Sequence, residues 1–212
     1  MLAFAFLVVL CIFIMELVKL YVNYIRRHEI CSAPRPASSC QRTLVILGSG
    51  GHTAEMFELL KHFREQYSPR LYIIAATDRL SEQKVEEFEA ARGNTAFSIK
   101  KVQRSREVGQ DYASSLLTTL AAFKQSASIV WDWKPSLVLA NGPGTCIPVC
   151  LSAFVFDLFR LRNIRIFFVE SICRVQRLSL SGRILYYLRI PDRIFVQWSS
   201  LAKKYPRTTL IK

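Results

Sequence analysis

The chain has 212 residues, 51% of them hydrophobic and 12% aromatic, with a formal net charge of +13 from 29 Lys and Arg against 16 Asp and Glu. That apolar content excludes an intrinsically disordered chain, and the six cysteines, none in a C-x-x-C pair, argue against a zinc site and for a reducing compartment. The positive balance calls for an anionic partner, a membrane face or a phosphorylated substrate, and the dispersed basic residues lack the aromatic interleaving of a nucleic-acid binder.

Residues 2–15 carry no charged or polar side chain, and apolar residues resume after Glu16 as far as Ile25. As one helix, 2–25 is roughly 36 Å long, enough to cross a bilayer. Glu16 and Lys19 stand three apart, Tyr21 and Tyr24 suit the headgroup level, and Arg26-Arg27 follow. A cleaved signal peptide is the alternative, but no basic residue precedes the run and no small-residue cleavage site follows it. We therefore expect a retained transmembrane anchor over 1–25, with the N-terminus lumenal and the bulk of the chain cytosolic by the positive-inside rule. A linker over 26–42, rich in Ser and Pro, leads to a domain over 43–212. A core of about 170 residues buries roughly 70% of its unfolded surface and needs no disulfides.

The domain opens on the apolar run Leu44-Val45-Ile46-Leu47, followed by Gly48-Ser49-Gly50-Gly51-His52-Thr53. This reads as strand, tight loop and helix, the helix over 54–64 by its apolar spacing. A strand over 71–76, a charged helix over 81–91 with Ser81 as cap, and a weaker strand over 96–102 come next. The basic segment Gln103-Arg104-Ser105-Arg106-Glu107 and a long helix over 112–130 follow. A fourth strand over 137–140 runs into a second glycine loop, Asn141-Gly142-Pro143-Gly144-Thr145, and a helix over 147–159. A fifth strand over 165–169 ends at Glu170-Ser171, a helix spans 179–188, a sixth strand 194–197, and a last helix 199–204. Leu210 and Ile211 in the tail are a candidate docking site for a partner, unless 208–212 forms a final edge strand. Strands alternating with helices at this spacing predict an α/β fold, one Rossmann-like parallel sheet covered on both faces.

In such sheets ligands gather at the C-terminal strand ends. Three of the six expected ends carry notable residues: Gly48–His52, Asn141–Thr145 and Glu170-Ser171. Unpaired N–H groups after a glycine loop, at the positive end of a helix dipole, suit a phosphate or diphosphate. His52 beside them is either a general base or a residue that fixes the loop. Glu55 reads as structural or as a contact to a sugar hydroxyl, and Glu170 as a ligand contact or an ion-pair partner of Arg174. The dinucleotide fingerprint fails because position 53 is threonine rather than glycine, and Asp78 lies too far on for the usual ribose acceptor. The P-loop fails because no lysine follows the glycines.

The set Gly48-Ser49-Gly50-Gly51-His52-Thr53, Arg104-Ser105-Arg106-Glu107, Asn141-Gly142-Pro143-Gly144-Thr145, Val169 to Val175 and Val196-Gln197-Trp198 resembles one family. It is the membrane-anchoring subunit of the eukaryotic UDP-N-acetylglucosamine transferase of dolichol-linked oligosaccharide synthesis. The first loop is also similar to the acceptor-side glycine loop of the bacterial transferase MurG. The resemblance implies the N-terminal, acceptor-binding half of an inverting GT-B transferase, inactive alone. A small cytosolic catalytic subunit would bind the UDP-GlcNAc donor, and the complex would transfer the second GlcNAc to GlcNAc-diphospho-dolichol at the endoplasmic reticulum membrane. It implies no cofactor or metal ligand on this chain and leaves a divalent metal in the complex unspecified.

By matching position, Gly48, Ser49, Gly50, Gly51 and Thr53 would bind the acceptor diphosphate, with His52 the candidate base. Asn141, Gly142, Gly144, Thr145, Glu170, Arg104 and Arg106 would line the acceptor cleft. Two readings stand against this one: a membrane-tethered NAD(P)-binding oxidoreductase, and a scaffold that recruits the partner and adds nothing to the site.

Overall fold

The structure, a computed structural model, describes residues 2–30, 40–103, 112–142 and 144–211. Most of the expected linker, Pro143, and Arg104 and Arg106 of the expected cleft lie outside the described residues.

The continuous apolar runs form strands that are buried on both faces, as parallel strands under helices must be. β1 (Thr43–Ile46), β2 (Arg70–Ala75), β3 (Phe97–Val102), β4 (Leu137–Asn141), β5 (Arg165–Val169), β6 (Arg193–Val196) and β7 (Thr208–Leu210) make one sheet in the order β3-β2-β1-β4-β5-β6-β7. Every neighbouring pair is parallel. The seventh strand is an addition to the six expected. Thr208 and Leu210 pair with Ile194 and Val196, so the tail is an edge strand.

Alternation along each strand divides the core in two. Leu44, Ile46, Leu71, Ile73, Val138 and Phe168 pack with α4 (Tyr112–Trp133), α5 (Cys146–Leu158), α6 (Leu180–Tyr187) and α7 (Ser199–Lys204). Val45, Leu47, Tyr72, Ile74 and Leu139 pack with Met56 and Leu60 of α2 (Gly51–Lys61) and Val85 of α3 (Arg79–Ala91). Each buried aliphatic side chain contributes roughly 1.5–3 kcal/mol. The connections leave β1 and β2 toward one face and β4, β5 and β6 toward the other. The strand order reverses between β1 and β4, and in open α/β sheets the crevice outside the C-terminal strand ends at such a reversal is the usual ligand site.

Two helix starts differ from expectation. α2 begins at Gly51 rather than at residue 54, because the glycines form the bend and then the first turn. α3 is capped by Asp78 rather than Ser81: Ser81 N–H donates to Asp78 Oδ1 at 3.0 Å. At the other end of the sheet, Lys134, Arg160 and Arg189 follow the last turns of α4, α5 and α6 with φ of 52°, 57° and 51°. After α5 and α6 the chain closes a Schellman turn, with Leu161 N donating to Phe156 O at 2.9 Å and Ile190 N to Leu185 O at 3.2 Å. Glycine is the usual residue at this left-handed position, and a side chain there costs about 1–2 kcal/mol.

The same end holds a closed charged cluster. Arg70 Nη1 donates to both carboxylate oxygens of Glu89, at 2.8 and 3.0 Å, and Asn94 Nδ2 donates to Glu89 Oε2 at 2.7 Å. Tyr72 also donates to Glu89, and burial, with this bond, pushes its phenol far above the usual range. Arg70 and Glu89 are 1% and 0% exposed.

α1 (Leu2–Ile30) contains a segment, Phe6–Tyr24, that is long and apolar enough to cross a membrane. The described side chains from Phe4 to Lys19 are exposed. Tyr21 and Tyr24 dock on the domain: their hydroxyls donate to Leu188 O at 2.7 Å and Ile190 O at 3.1 Å, and both rings meet Phe154 of α5 edge-on.

Candidate functional site

The first glycine loop enters the crevice from β1. Gly50 has φ 67°, a conformation that a glycine adopts without strain, and α2 starts at the next residue. The first intrahelical bond is Ala54 N to Gly50 O at 3.4 Å, so the amides of Gly51, His52 and Thr53 precede the helical ladder. No side chain caps them. A Cβ placed on Gly51 meets nothing within 4 Å, so the space at the start of the helix is open there.

Thr53 has another task. Its side chain is buried, donates to Gly48 O and lies 2.9 Å from Ser81 Oγ, which donates to Asp78 Oδ2 at 2.8 Å. The threonine hydroxyl gives its one proton to Gly48 O, which closes the loop on the first turn of α2, and at 0% exposure Thr53 fixes the loop rather than facing a ligand. Asp78, which stands nearest the place of a ribose acceptor, uses both carboxylate oxygens on Ser81.

His52 lies under the second glycine loop. Its Nδ1 is 2.7 Å from Asn141 Oδ1, across 89 residues of sequence. Asn141 Nδ2 donates to Glu55 Oε2 at 3.0 Å. The other oxygen of Glu55 accepts from Ser171 Oγ at 2.8 Å and from Ile172 N at 3.3 Å. A carboxylate only accepts, so Asn141 must turn its amide nitrogen toward Glu55 and its oxygen toward His52. The His52–Asn141 contact then needs its proton on Nδ1, and the neutral ring keeps a lone pair on Nε2. Glu55 Oε2 lies 3.9 Å from Nδ1, close enough to stabilise the ring once it takes a second proton. The histidine side chain is 34% exposed.

Gly142 makes this stacking possible. Its φ is 67°, and a Cβ there would stand 2.4 Å from His52 Cε1. Gly144 is exposed and Thr145 half-buried ahead of α5, which begins at Cys146 with no side-chain cap. Pro148, in the first turn of α5, has no N–H to leave unpaired there.

Glu170 sits deeper, 1% exposed. Its Oε1 accepts from Ser171 N at 3.0 Å and its Oε2 from Ser179 N and Oγ at 2.8 and 3.0 Å. Burial pushes its carboxyl up, against the pull of these donors. Ser179 in turn caps α6 by accepting from Gly182 N at 3.0 Å. Glu170 thus ties the two ends of the loop 171–179 together. Trp198 Nε1 holds the same loop by donating to Ile172 O at 2.6 Å.

The structure brings His52, Asn141, Gly142 and the amides of α2 to one place and adds Glu55 and Ser171, whose bridging role the sequence reading did not foresee. The available signal was spacing: Glu55 lies one turn after His52, on the same side of α2. Among the described residues no group of His, Cys, Asp and Glu is placed to hold a metal ion.

Residues 43–211 match the model of the family described as oligosaccharide biosynthesis protein Alg14 like. The chain is 43% identical over 175 residues to the human UDP-N-acetylglucosamine transferase subunit ALG14, covering 79% of this chain and 80% of that one. It is 36% identical over 200 residues to the subunit of the same name in Schizosaccharomyces pombe, covering 92% and 93%. Among solved structures it is similar to MurG of Acinetobacter baumannii, with a TM-score of 0.53, 14% identity, and cover of 73% of this chain and 40% of that one. A putative UDP-N-acetylglucosamine 2-epimerase from Listeria monocytogenes gives a TM-score of 0.55 at 14% identity, covering 80% and 42%. The chain thus spans about two-fifths of these structures, and at such identity they speak for the fold alone.

Proposed function

The chain belongs to the Alg14-like family of oligosaccharide biosynthesis proteins, and from that premise we propose that it is the acceptor-binding, membrane-anchored subunit of a UDP-N-acetylglucosamine transferase. The curated relatives are named as subunits, and a subunit works with a partner. The donor-binding half then belongs to a separate cytosolic chain, and the acceptor is a GlcNAc-diphospho-lipid of the dolichol type at the endoplasmic reticulum membrane. α1 anchors the subunit, with its N-terminus lumenal.

The observation that carries this reading is the switch point between β1 and β4, where the uncapped amides of α2 meet a histidine whose tautomer is fixed. The amides of Gly51 and His52 take the lipid diphosphate, where the helix dipole favours negative charge. Nε2 of His52 accepts the proton of the attacking sugar hydroxyl as that oxygen bonds to the anomeric carbon of the donor. UDP leaves from the opposite face, which inverts the configuration. Asn141 and Glu55 hold the ring and stabilise its charged form.

The test is an assay with UDP-GlcNAc and a GlcNAc-diphospho-polyprenol. The detergent-solubilised chain alone is expected to give no turnover, and the complex isolated with its partner is expected to give GlcNAc2-diphospho-lipid. Turnover by the chain alone overturns the division of labour. Tight NADH binding would instead favour the oxidoreductase.

A further inference from the structure

The end of the sheet away from the site carries a repeated pattern that neither the core nor the crevice uses. α5 and α6 both close on an arginine in the left-handed conformation, set between large apolar residues: Phe159-Arg160-Leu161-Arg162 and Leu188-Arg189-Ile190. α4 closes in the same conformation on Lys134. Cations at helix C-termini are favoured by the dipole, which accounts for charge there but not for the apolar neighbours. Phe159, Leu161, Tyr187 and Leu188 are 49%, 50%, 65% and 52% exposed. Leu161 belongs to the loop after α5 and Leu188 to the turn after α6, so the apolar surface is drawn from both closures.

These two turns flank the place where α1 leaves the domain. Tyr21 bonds to Leu188 O, and a notch beside α1 is lined by Leu20, Asn23 and Tyr24 on one side and Asp157, Leu158 and Arg160 on the other. Beyond Leu20, toward its N-terminus, the helix has no buried described side chain. A helix able to cross a membrane therefore emerges between two turns that each carry arginine and exposed apolar side chains. Two carboxylates on this side are turned inward: Asp157 accepts from Ile164 N and Asp192 from Ile166 N, while Asp132 on α4 is exposed. Charge at the two turns is thus mainly positive.

Resting on the anchor reading above, we propose that this end of the folded domain is itself a bilayer-contact surface. Phe159, Leu161, Tyr187 and Leu188 enter the headgroup region, and Arg160 and Arg189 meet anionic headgroups. Aromatic and aliphatic residues beside Arg fit that layer because the apolar stems are buried while the guanidinium stays with phosphate. Each cation adds attraction that salt screens. Such a contact fixes the domain on its anchor. The loop cluster at the other end then stands about one five-residue strand, roughly 17 Å, above the face, a distance the isoprenoid-linked diphosphate has to cover.

The test uses the full chain in vesicles of phosphatidylcholine, with or without phosphatidylserine, carrying headgroup-level nitroxide lipids. A fluorophore is placed at Leu161→Cys or Leu188→Cys in a background where Cys11, Cys31, Cys40 and Cys173 are serine. The control is Leu80→Cys, exposed at the start of α3. Quenching several-fold stronger at 161 and 188 than at 80, and stronger with phosphatidylserine, is the expected result. Equal quenching at all three positions overturns the proposal. The double variant Arg160→Gly/Arg189→Gly puts the residue best suited to the left-handed turn at both sites, so its melting temperature should hold or rise. Its quenching should lose the dependence on phosphatidylserine, and quenching that keeps this dependence counts against the arginines. If the chain does not float with the vesicles at all, the anchor reading itself has failed.

Discussion

Two polar networks sit at opposite ends of the same sheet, and they differ in how completely they are closed. Arg70, Glu89, Tyr72 and Asn94 form a cluster in which the two charged side chains are 1% and 0% exposed and each oxygen of Glu89 has a donor. His52, Asn141, Glu55 and Ser171 form a chain that is closed at one end, by the amide of Ile172, and open at the other, where His52 is 34% exposed. The first ties β2 to α3 and presents nothing to a ligand. The second has the same kinds of group but ends on a ring nitrogen with a lone pair, beside amides that precede their helix. A polar network serves chemistry when its last member is left for something outside the protein.

Breaking the closed cluster should have the largest effect, and it should fall on stability. Glu89→Ala leaves a buried guanidinium without its partner, and unfolding should become easier by about 3–5 kcal/mol. Denaturant titration of the solubilised chain measures this. In the open network His52→Ala should leave the melting temperature nearly unchanged and lower kcat of the assembled complex by about 10²–10⁴-fold. Full turnover in that variant would return the chain to the role of scaffold.

A smaller and more specific effect is expected from Asn141→Asp. A carboxylate facing Nδ1 favours the charged imidazole, so the acid limb of the pH–rate profile should move up by about one unit or more. Activity would then fall near neutral pH and recover in alkali. Smallest is the effect at Glu170, whose folded-state pKa is raised by burial above the usual 4.5. The folded chain holds that proton more tightly than the unfolded one. Its contribution to stability is therefore fully present below pH 4.5 and is lost as pH rises through the raised value. Measured against Glu170→Gln by denaturant titration across pH, the wild-type advantage in unfolding free energy should shrink over that rise.

Much of this architecture was legible in the letters. The apolar runs 44–47, 71–76, 137–140 and 165–169 are strands, and three loops expected at their ends do meet at the switch between β1 and β4. What escaped has physical reasons. Thr208–Leu210 is too short and too polar to announce a strand, and it exists because β6 offers it a ladder. α2 starts on glycine, a poor helix former, because the bend before it aims the first turn at the crevice. Asp78 and Ser81 are both good caps, and only the fold decides between them. Glu55 reaches Asn141 across 86 residues and Ser171 across 116, separations at which one sequence carries no pairing signal. The deep burial of Glu170 was equally hidden, since a strand-end carboxylate faces inward or outward according to what covers it.

The seventh strand bears on how truncated forms are to be interpreted. Thr208–Leu210 pairs along β6, and Ile211 N adds a further bond to Val196 O at 2.9 Å. Truncation ahead of Thr208 would therefore uncover Ile194–Val196 of β6 and leave a hydrogen-bonding edge ready to join another chain. Loss of partner association in such a shortened protein would report a damaged sheet margin as readily as a missing contact. Single substitutions that keep the backbone ladder, such as Leu210→Ser, separate the two.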